Sequence, residues 1–227
     1  MGILKYLSFI VPPLIAFLLY LYLRFKFTKW PYSLLFRSFL WGMASIVIVL
    51  AVQVLASYLE LDKLNNIRRI LFYALVIMAF FSELAKFTIL KGLIYPRDEF
   101  KSPVDGIIFA TMIAMGFATM NNILYFINIP HLSVSGVNAI TAGPANVIFG
   151  VIMGFFIGLG KLRRMRFIDS MTGLAAAIVF HALYDFCLLT RDYRLLLAFF
   201  IGATIIGFSL IIAAIRIQDD EKREDQF

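Results

Sequence analysis

Seven long apolar runs dominate this chain, and they decide what it can fold into. They cover residues 4–23, 34–57, 70–93, 104–128, 139–160, 168–189 and 194–215. Each is close to the roughly 20 residues an α-helix needs to cross a bilayer. The runs are continuous rather than alternating, and too long for barrel strands. Backbone in lipid must satisfy its own hydrogen bonds, which leaves helices. Composition agrees: of 227 residues, 62% are hydrophobic and 15% charged, against about 25% charged in a soluble domain. Mean hydropathy is +0.89. A soluble globular chain and a disordered one are both excluded. The expected fold is all-α, a polytopic transmembrane bundle of about seven spans. It forms one domain over 1–217, with a charged, solvated tail at 218–227. The first run carries Pro12 and Pro13 and no small-residue cleavage site, so it reads as a retained span.

The loops carry the orientation signal. The formal charge of +7 fits basic residues held at one membrane face better than a nucleic-acid partner. Arg24, Lys26 and Lys29, Lys91, Arg97 and Lys101, Lys161, Arg163, Arg164 and Arg166, and Arg216, Lys222 and Arg223 place 13 basic residues on one side. The other side holds 6, namely Lys5, Lys63, Arg68, Arg69, Arg191 and Arg194. The richer side is expected to be cytoplasmic, giving an external N-terminus and a cytoplasmic C-terminus in a bacterial cytoplasmic membrane. Cys187 is the single cysteine, so neither an intrachain disulfide nor a cysteine-based metal site is available.

Ionisable residues inside spans are costly and face a protein interior or a water-filled cavity. Here they concentrate in four consecutive runs: Ser82, Glu83 and Lys86; Asn121 and Asn122; Asn146; His181 and Asp185. At 1.5 Å per residue, His181 and Asn146 lie roughly 20 Å from one end of their spans, Asp185 and Asn121 about 26 Å, and Glu83 about 12–18 Å. One polar cavity at a common depth satisfies all of them. His181 and Asp185 are i,i+4, so they can share a bound ion or water, or the carboxylate can orient the imidazole. Glu83 and Lys86 are i,i+3 and can neutralise each other, which would make the doublets structural pairs. Gly150, Gly154 and Gly158 form a small-residue stripe for close helix approach. Asp105 stands where an acidic cap complements a helix N-terminus. His131 reads as a loop histidine.

In these segments the sequence resembles the PrsW family of intramembrane proteases, related to the CAAX prenyl endopeptidases. A Glu-Glu-x-x-Lys motif corresponds to Ser82-Glu83-Leu84-Ala85-Lys86. A Gly-Phe-Ala-Thr-x-Glu-Asn-Ile-Leu-Tyr motif corresponds to Gly116–Tyr125, with Asn121 in the glutamate position. A histidine before a glycine-rich helix corresponds to Asn146, followed by Gly150 and Gly154. A His-x-x-Tyr-Asp-Phe motif is intact from His181 to Phe186. The resemblance covers about residues 80–187 in the family's order. It implies a membrane protease acting on membrane-anchored proteins such as anti-sigma factors, with a glutamate base, an assisting histidine and a metal. Ser82, Glu83, Asn121, Asn146, His181 and Asp185 are the catalytic positions it implies.

Three of those positions hold neutral residues, Ser82, Asn121 and Asn146. They keep polarity but remove proton transfer and weaken metal affinity. Glu83 is next to Ser82, but one residue rotates a helical side chain by about 100°. Several chemistries stay open. Glu83, His181 and Asp185 could supply the three ligands that an open zinc site requires. Ser82 and Lys86, one turn apart, could form a Ser–Lys dyad. A catalytically inactive relative could bind transmembrane segments without cutting them. A small transporter or channel could use the polar cavity as a path, although no two-half repeat is present.

Overall fold

The computed structural model describes residues 30–127, 136–163 and 165–224, with a few isolated positions between 10 and 21. Within them, six helices are long and apolar enough to cross a membrane. They are α1 (Tyr32–Tyr58), α2 (Ile67–Ile94), α3 (Pro103–Phe126), α4 (Gly136–Leu162), α5 (Arg166–Leu189) and α6 (Tyr193–Glu224). The described elements contain no strand. The expected run at 4–23, the loop with Arg24, Lys26 and Lys29, and His131 lie outside the described residues.

The helix boundaries follow the sequence chemistry. Ser102 caps α3, and Pro103 takes the first helical position, where the missing N–H costs nothing. Asp105 closes a capping box. Its Oδ2 accepts from the backbone N–H groups of Lys101 and Ser102, each at 2.8 Å. Its Oδ1 accepts from the Trp30 indole at 2.8 Å, which ties the start of α1 to the start of α3. The capping role expected of Asp105 thus also joins two helices. α6 runs beyond the apolar segment that ends at 215 and carries Arg216 to Glu224 in its last turns.

α3 sits at the centre. Of its most apolar window 78% is buried, against 17% for α6, which faces outward. Glycines set how closely its neighbours approach. A Cβ on Gly106 of α3 would strike the carbonyl of Gly154 on α4, and one on Gly154 would strike Gly106. A Cβ on Gly158 would lie 2.5 Å from Pro103 Cα, and one on Gly150 2.9 Å from Thr111 Cα. The stripe on α4 therefore meets α3 backbone to backbone, the packing that small residues permit in lipid. On the other side of α3, Gly116 lies against the Phe39 carbonyl of α1 and Gly42 of α1 against Ile113.

α2 is not a uniform helix. Its backbone is π-helical over Tyr73–Phe80 and again over Leu90–Ile94, with an α-helical segment Phe81–Ile89 between them. Wider turns shift the side-chain phase along a helix and recur at functional sites. The segment they bracket holds Ser82, Glu83 and Lys86, all at most 3% exposed.

Gly154→Val is expected to cost about 3 kcal/mol through overpacking at the α3–α4 contact. Gly202→Ala on α6, where a Cβ meets nothing within 4 Å, should be neutral or stabilising by up to about 1 kcal/mol. Unfolding of the two variants in detergent micelles checks the contrast.

Candidate active site

Five helices contribute side-chain stripes to one cavity of about 200 Å³. Val49 and Gln53 come from α1, Tyr73, Met78 and Ser82 from α2, and Phe117 and Asn121 from α3. Asn138, Ala142 and Asn146 come from α4, and His181, Asp185 and Leu189 from α5. Most of these are i,i+4 sets, so each helix turns one face inward. Asp62 and Leu64 of the α1–α2 connection complete the wall. The volume holds several water molecules. Five of the six expected positions, Ser82, Asn121, Asn146, His181 and Asp185, therefore line a single chamber.

Glu83 is the sixth, and it stands behind the chamber. Its Oε1 accepts from Lys86 Nζ at 2.6 Å and lies 2.6 Å from His181 Nδ1. A carboxylate only accepts, so Nδ1 carries the proton in that contact. The rotation of about 100° from Ser82 does not remove Glu83 from the interior. The two adjacent side chains use two parts of one enclosed face, Ser82 toward the cavity and Glu83 toward α5.

Lys86 is held from several sides. Besides Glu83 it donates to Asn146 Oδ1 at 2.8 Å. Its Nζ also lies 4.7 Å from the Phe117 ring centroid and 5.8 Å from that of Phe149. The Ser82–Lys86 dyad finds no support in this arrangement, because the ammonium is turned to Glu83 and Asn146. Among the described residues Ser82 has no hydrogen-bond partner. Asn146 in turn donates from Nδ2 to the Ala142 carbonyl at 2.9 Å. Its amide thus fixes Lys86 to α4.

His181 has a neighbour on each ring nitrogen. Opposite the Glu83 contact, Nε2 lies 3.3 Å from Asp185 Oδ2. That approach has the distance of an ion pair without hydrogen-bond alignment, and Asp185 Oδ2 has no hydrogen-bond partner among the described residues. Phe149 stacks on the imidazole with centroids 4.7 Å apart and 19° between planes. Tyr184, from the intact motif, donates to Asn138 Oδ1 at 2.9 Å and shares a hydrogen bond of 2.8 Å with Thr141. Sequence reasoning missed Tyr184, Asn138, Thr141 and Phe149. Tyr184 was signalled by its place between His181 and Asp185.

The three residues expected as metal ligands are arranged in a line. Glu83 and Asp185 sit at different nitrogens of one imidazole ring, so the three groups do not converge on a point. Among the described residues no cluster of three or more His, Cys, Asp or Glu could hold a metal ion. His181 and Asp185 line the cavity, and the neighbouring Asn121 and Asn146 offer only amides. A catalytic zinc needs three protein ligands. The residues present do not fit one.

A buried polar cavity inside a helical bundle, walled by carboxylate, imidazole and amide groups, places the protein among polytopic membrane proteins with an enclosed polar site. Comparison with known proteins gives the family. A model described as PrsW family intramembrane metalloprotease matches residues 30–215. The chain belongs to that family. It is 30% identical to Protease PrsW of Bacillus subtilis over 78% of this chain and 80% of the relative. It is 30% identical to Protease PrsW of Oceanobacillus iheyensis over 82% and 83%, and 27% identical to that of Geobacillus kaustophilus over 80% and 79%. No solved structure matches.

Two outcomes follow from this geometry. Lys86→Met and Glu83→Gln should each destabilise the bundle by about 3–5 kcal/mol, because each leaves a buried partner uncompensated. Their combination should cost less than the sum, which a double-mutant cycle on unfolding would read. Elemental analysis of purified protein should find no stoichiometric zinc, while Asn121→Glu combined with Asn146→His should gain one equivalent.

Proposed function

We propose that this protein hydrolyses peptide bonds in membrane-anchored protein substrates, with Asp185 and His181 touching the reacting water. The line Glu83–His181–Asp185, running from the buried ion pair to the cavity wall, carries this reading. Two carboxylates and one ammonium leave a buried net charge of −1, and one further proton on the His181–Asp185 pair restores neutrality. A low-dielectric interior favours that balance.

With the shared proton on His181 Nε2, Asp185 is the base. A cavity water gives one proton to Asp185 as its oxygen bonds to the scissile carbonyl carbon. The oxyanion accepts from the Asn121 amide, whose N–H groups donate without moving protons. Collapse breaks the C–N bond, and His181 passes its Nε2 proton to the leaving amine. Asp185 then returns its proton to His181 across the short gap between them, which restores the starting state. Glu83 is a positioning residue that keeps the imidazole aligned through Nδ1.

The basic asymmetry of the loops supports a cytoplasmic C-terminus. Asp62, Leu64 and Leu189 line the cavity toward the connections α1–α2 and α5–α6, so in that orientation the chamber opens to the external face. The substrates would be cut near that surface, as the family resemblance implies for anchored regulators such as anti-sigma factors.

The test uses the full chain reconstituted with a single-span substrate. His181→Ala and Asp185→Asn should each lower cleavage by at least about 100-fold. Ser82→Ala should leave it in the same order of magnitude. Cleavage that survives both of the first two substitutions overturns the reading. A wild-type protein that co-purifies with uncut substrate would instead be a relative that binds transmembrane segments without hydrolysing them.

A further inference from the structure

A second cluster of charge lies at the opposite end of the bundle, away from the cavity. Tyr95, just past the end of α2, has two ammonium groups on its ring: Lys91 Nζ at 3.4 Å from the centroid and Lys161 Nζ at 4.5 Å. Lys91 also donates to Ser170 Oγ at 2.9 Å, which joins α2 to α5. The charge of Arg166 acts on Lys91, Lys161 and Tyr95 alike. Beside them a recess of about 260 Å³ is lined by Arg97, Lys101 and Lys161, with Asp98 as its one carboxylate. Among the described residues none of Lys91, Arg97, Lys101, Lys161 or Arg166 forms an ion pair. Asp98 acts on Lys161 but lies beyond ion-pair distance. The Tyr95 hydroxyl is buried and has no hydrogen-bond partner among the described residues.

Cations gathered around one ring repel each other, and a pair of ammonium groups needs more than a phenol quadrupole to stay together. The carboxylates nearby, Asp98 and Asp169, form no ion pair with these cations among the described residues, and an anion among the cations would offset their repulsion. The setting selects which anion. Phe167, 75% exposed, and Met165, 61% exposed, stand next to Arg166 at the membrane end of α5. Apolar side chains beside basic ones suit a molecule with a charged head and a hydrocarbon tail. Basic recesses between membrane helices bind anionic headgroups in this way.

We propose that Lys91, Lys161, Arg166, Arg97 and Lys101 form a seat for the phosphate of an anionic phospholipid, with the Tyr95 ring as the platform that gathers Lys91 and Lys161. The occupant is a lipid rather than free phosphate because its acyl chains cover Phe167 and Met165. The seat lies on the connections α2–α3 and α4–α5, so it holds together the cytoplasmic ends of α2, α4 and α5 in the orientation given above.

The experiment reads lipid retention by native mass spectrometry of the full chain, and it is independent of cleavage. The protein is released from vesicles of phosphatidylglycerol and phosphatidylcholine in equal amounts. Wild type should keep phosphatidylglycerol preferentially. Arg97→Gln with Lys101→Gln, both at exposed positions, and separately Lys161→Gln with Arg166→Gln, should lower that preference by about fivefold per charge removed. Lys63→Gln with Arg68→Gln, at the other end of the bundle, should leave it unchanged. Equal retention of the two lipids by wild type overturns the proposal, as does a preference that survives both cluster variants. Displacement of the lipid by millimolar inorganic phosphate would assign the cluster to a free anion and overturn the lipid seat.

Discussion

The carboxylate of Glu83 is the interaction on which the interior depends. It is a single buried charge shared between Lys86 on its own helix and His181 on α5. Through Lys86 the link continues to Asn146 on α4. Three helices are therefore joined by hydrogen bonds around one group that is 1% exposed. In lipid, apolar side chains gain little by burial against each other, because the tails outside are as apolar as the core. Position then has to come from backbone contact and polar pairing. The bundle uses both. Gly106 and Gly154 bring α3 and α4 together, and Glu83 locks α2 and α5 onto them.

That arrangement also separates two jobs that one carboxylate could have shared. Glu83, already engaged by an ammonium and an imidazole, has little left to offer a substrate. Asp185 is the reverse: its Oδ2 is buried, lines the cavity and has no hydrogen-bond partner among the described residues. A group left without a partner in a low-dielectric interior costs energy, and such costs persist where chemistry needs the group available.

Much of this was legible in the sequence, for physical reasons that can be named. The apolar runs marked α1 to α5 to within a few residues at each end, because hydropathy and helix length are both set by the bilayer. α6 overran its apolar segment because charge ends a membrane span but does not end a helix. Charged side chains such as Arg216, Asp219 and Asp220 are solvated around a helix as readily as along a coil. Depth arithmetic placed Glu83, Asn121, Asn146, His181 and Asp185 at one level; the last four line one cavity, while Glu83 stands behind it and its neighbour Ser82 takes the place at the wall. Direction was harder to read. Glu83 faces His181 from a helix with π-helical turns, and no period of 3.6 residues describes that phase. Trp30 reaches Asp105 across 75 residues, a pairing that no local pattern signals. Spacing likewise named Glu83, His181 and Asp185 as three donors but not the side of the imidazole that each carboxylate occupies.

The neutral residues at the cavity wall then take on a definite meaning. Asn146 is tied to Lys86 and Ala142, so its first effect is to hold the ammonium in place. Ser82 and Asn121 border the same space with groups that hydrogen-bond without changing charge. A peptide backbone entering the chamber is itself uncharged and needs donors and acceptors along its length. A wall of hydroxyl and amide groups meets that need without adding charge. Glutamates at positions 82 and 121 would add two more carboxylates to a cluster already balanced by one ammonium and one shared proton. They would then need a cation to offset them. Neutral groups at 82 and 121 fit a cavity in which, among the described residues, no cluster of three or more His, Cys, Asp or Glu could hold such a cation.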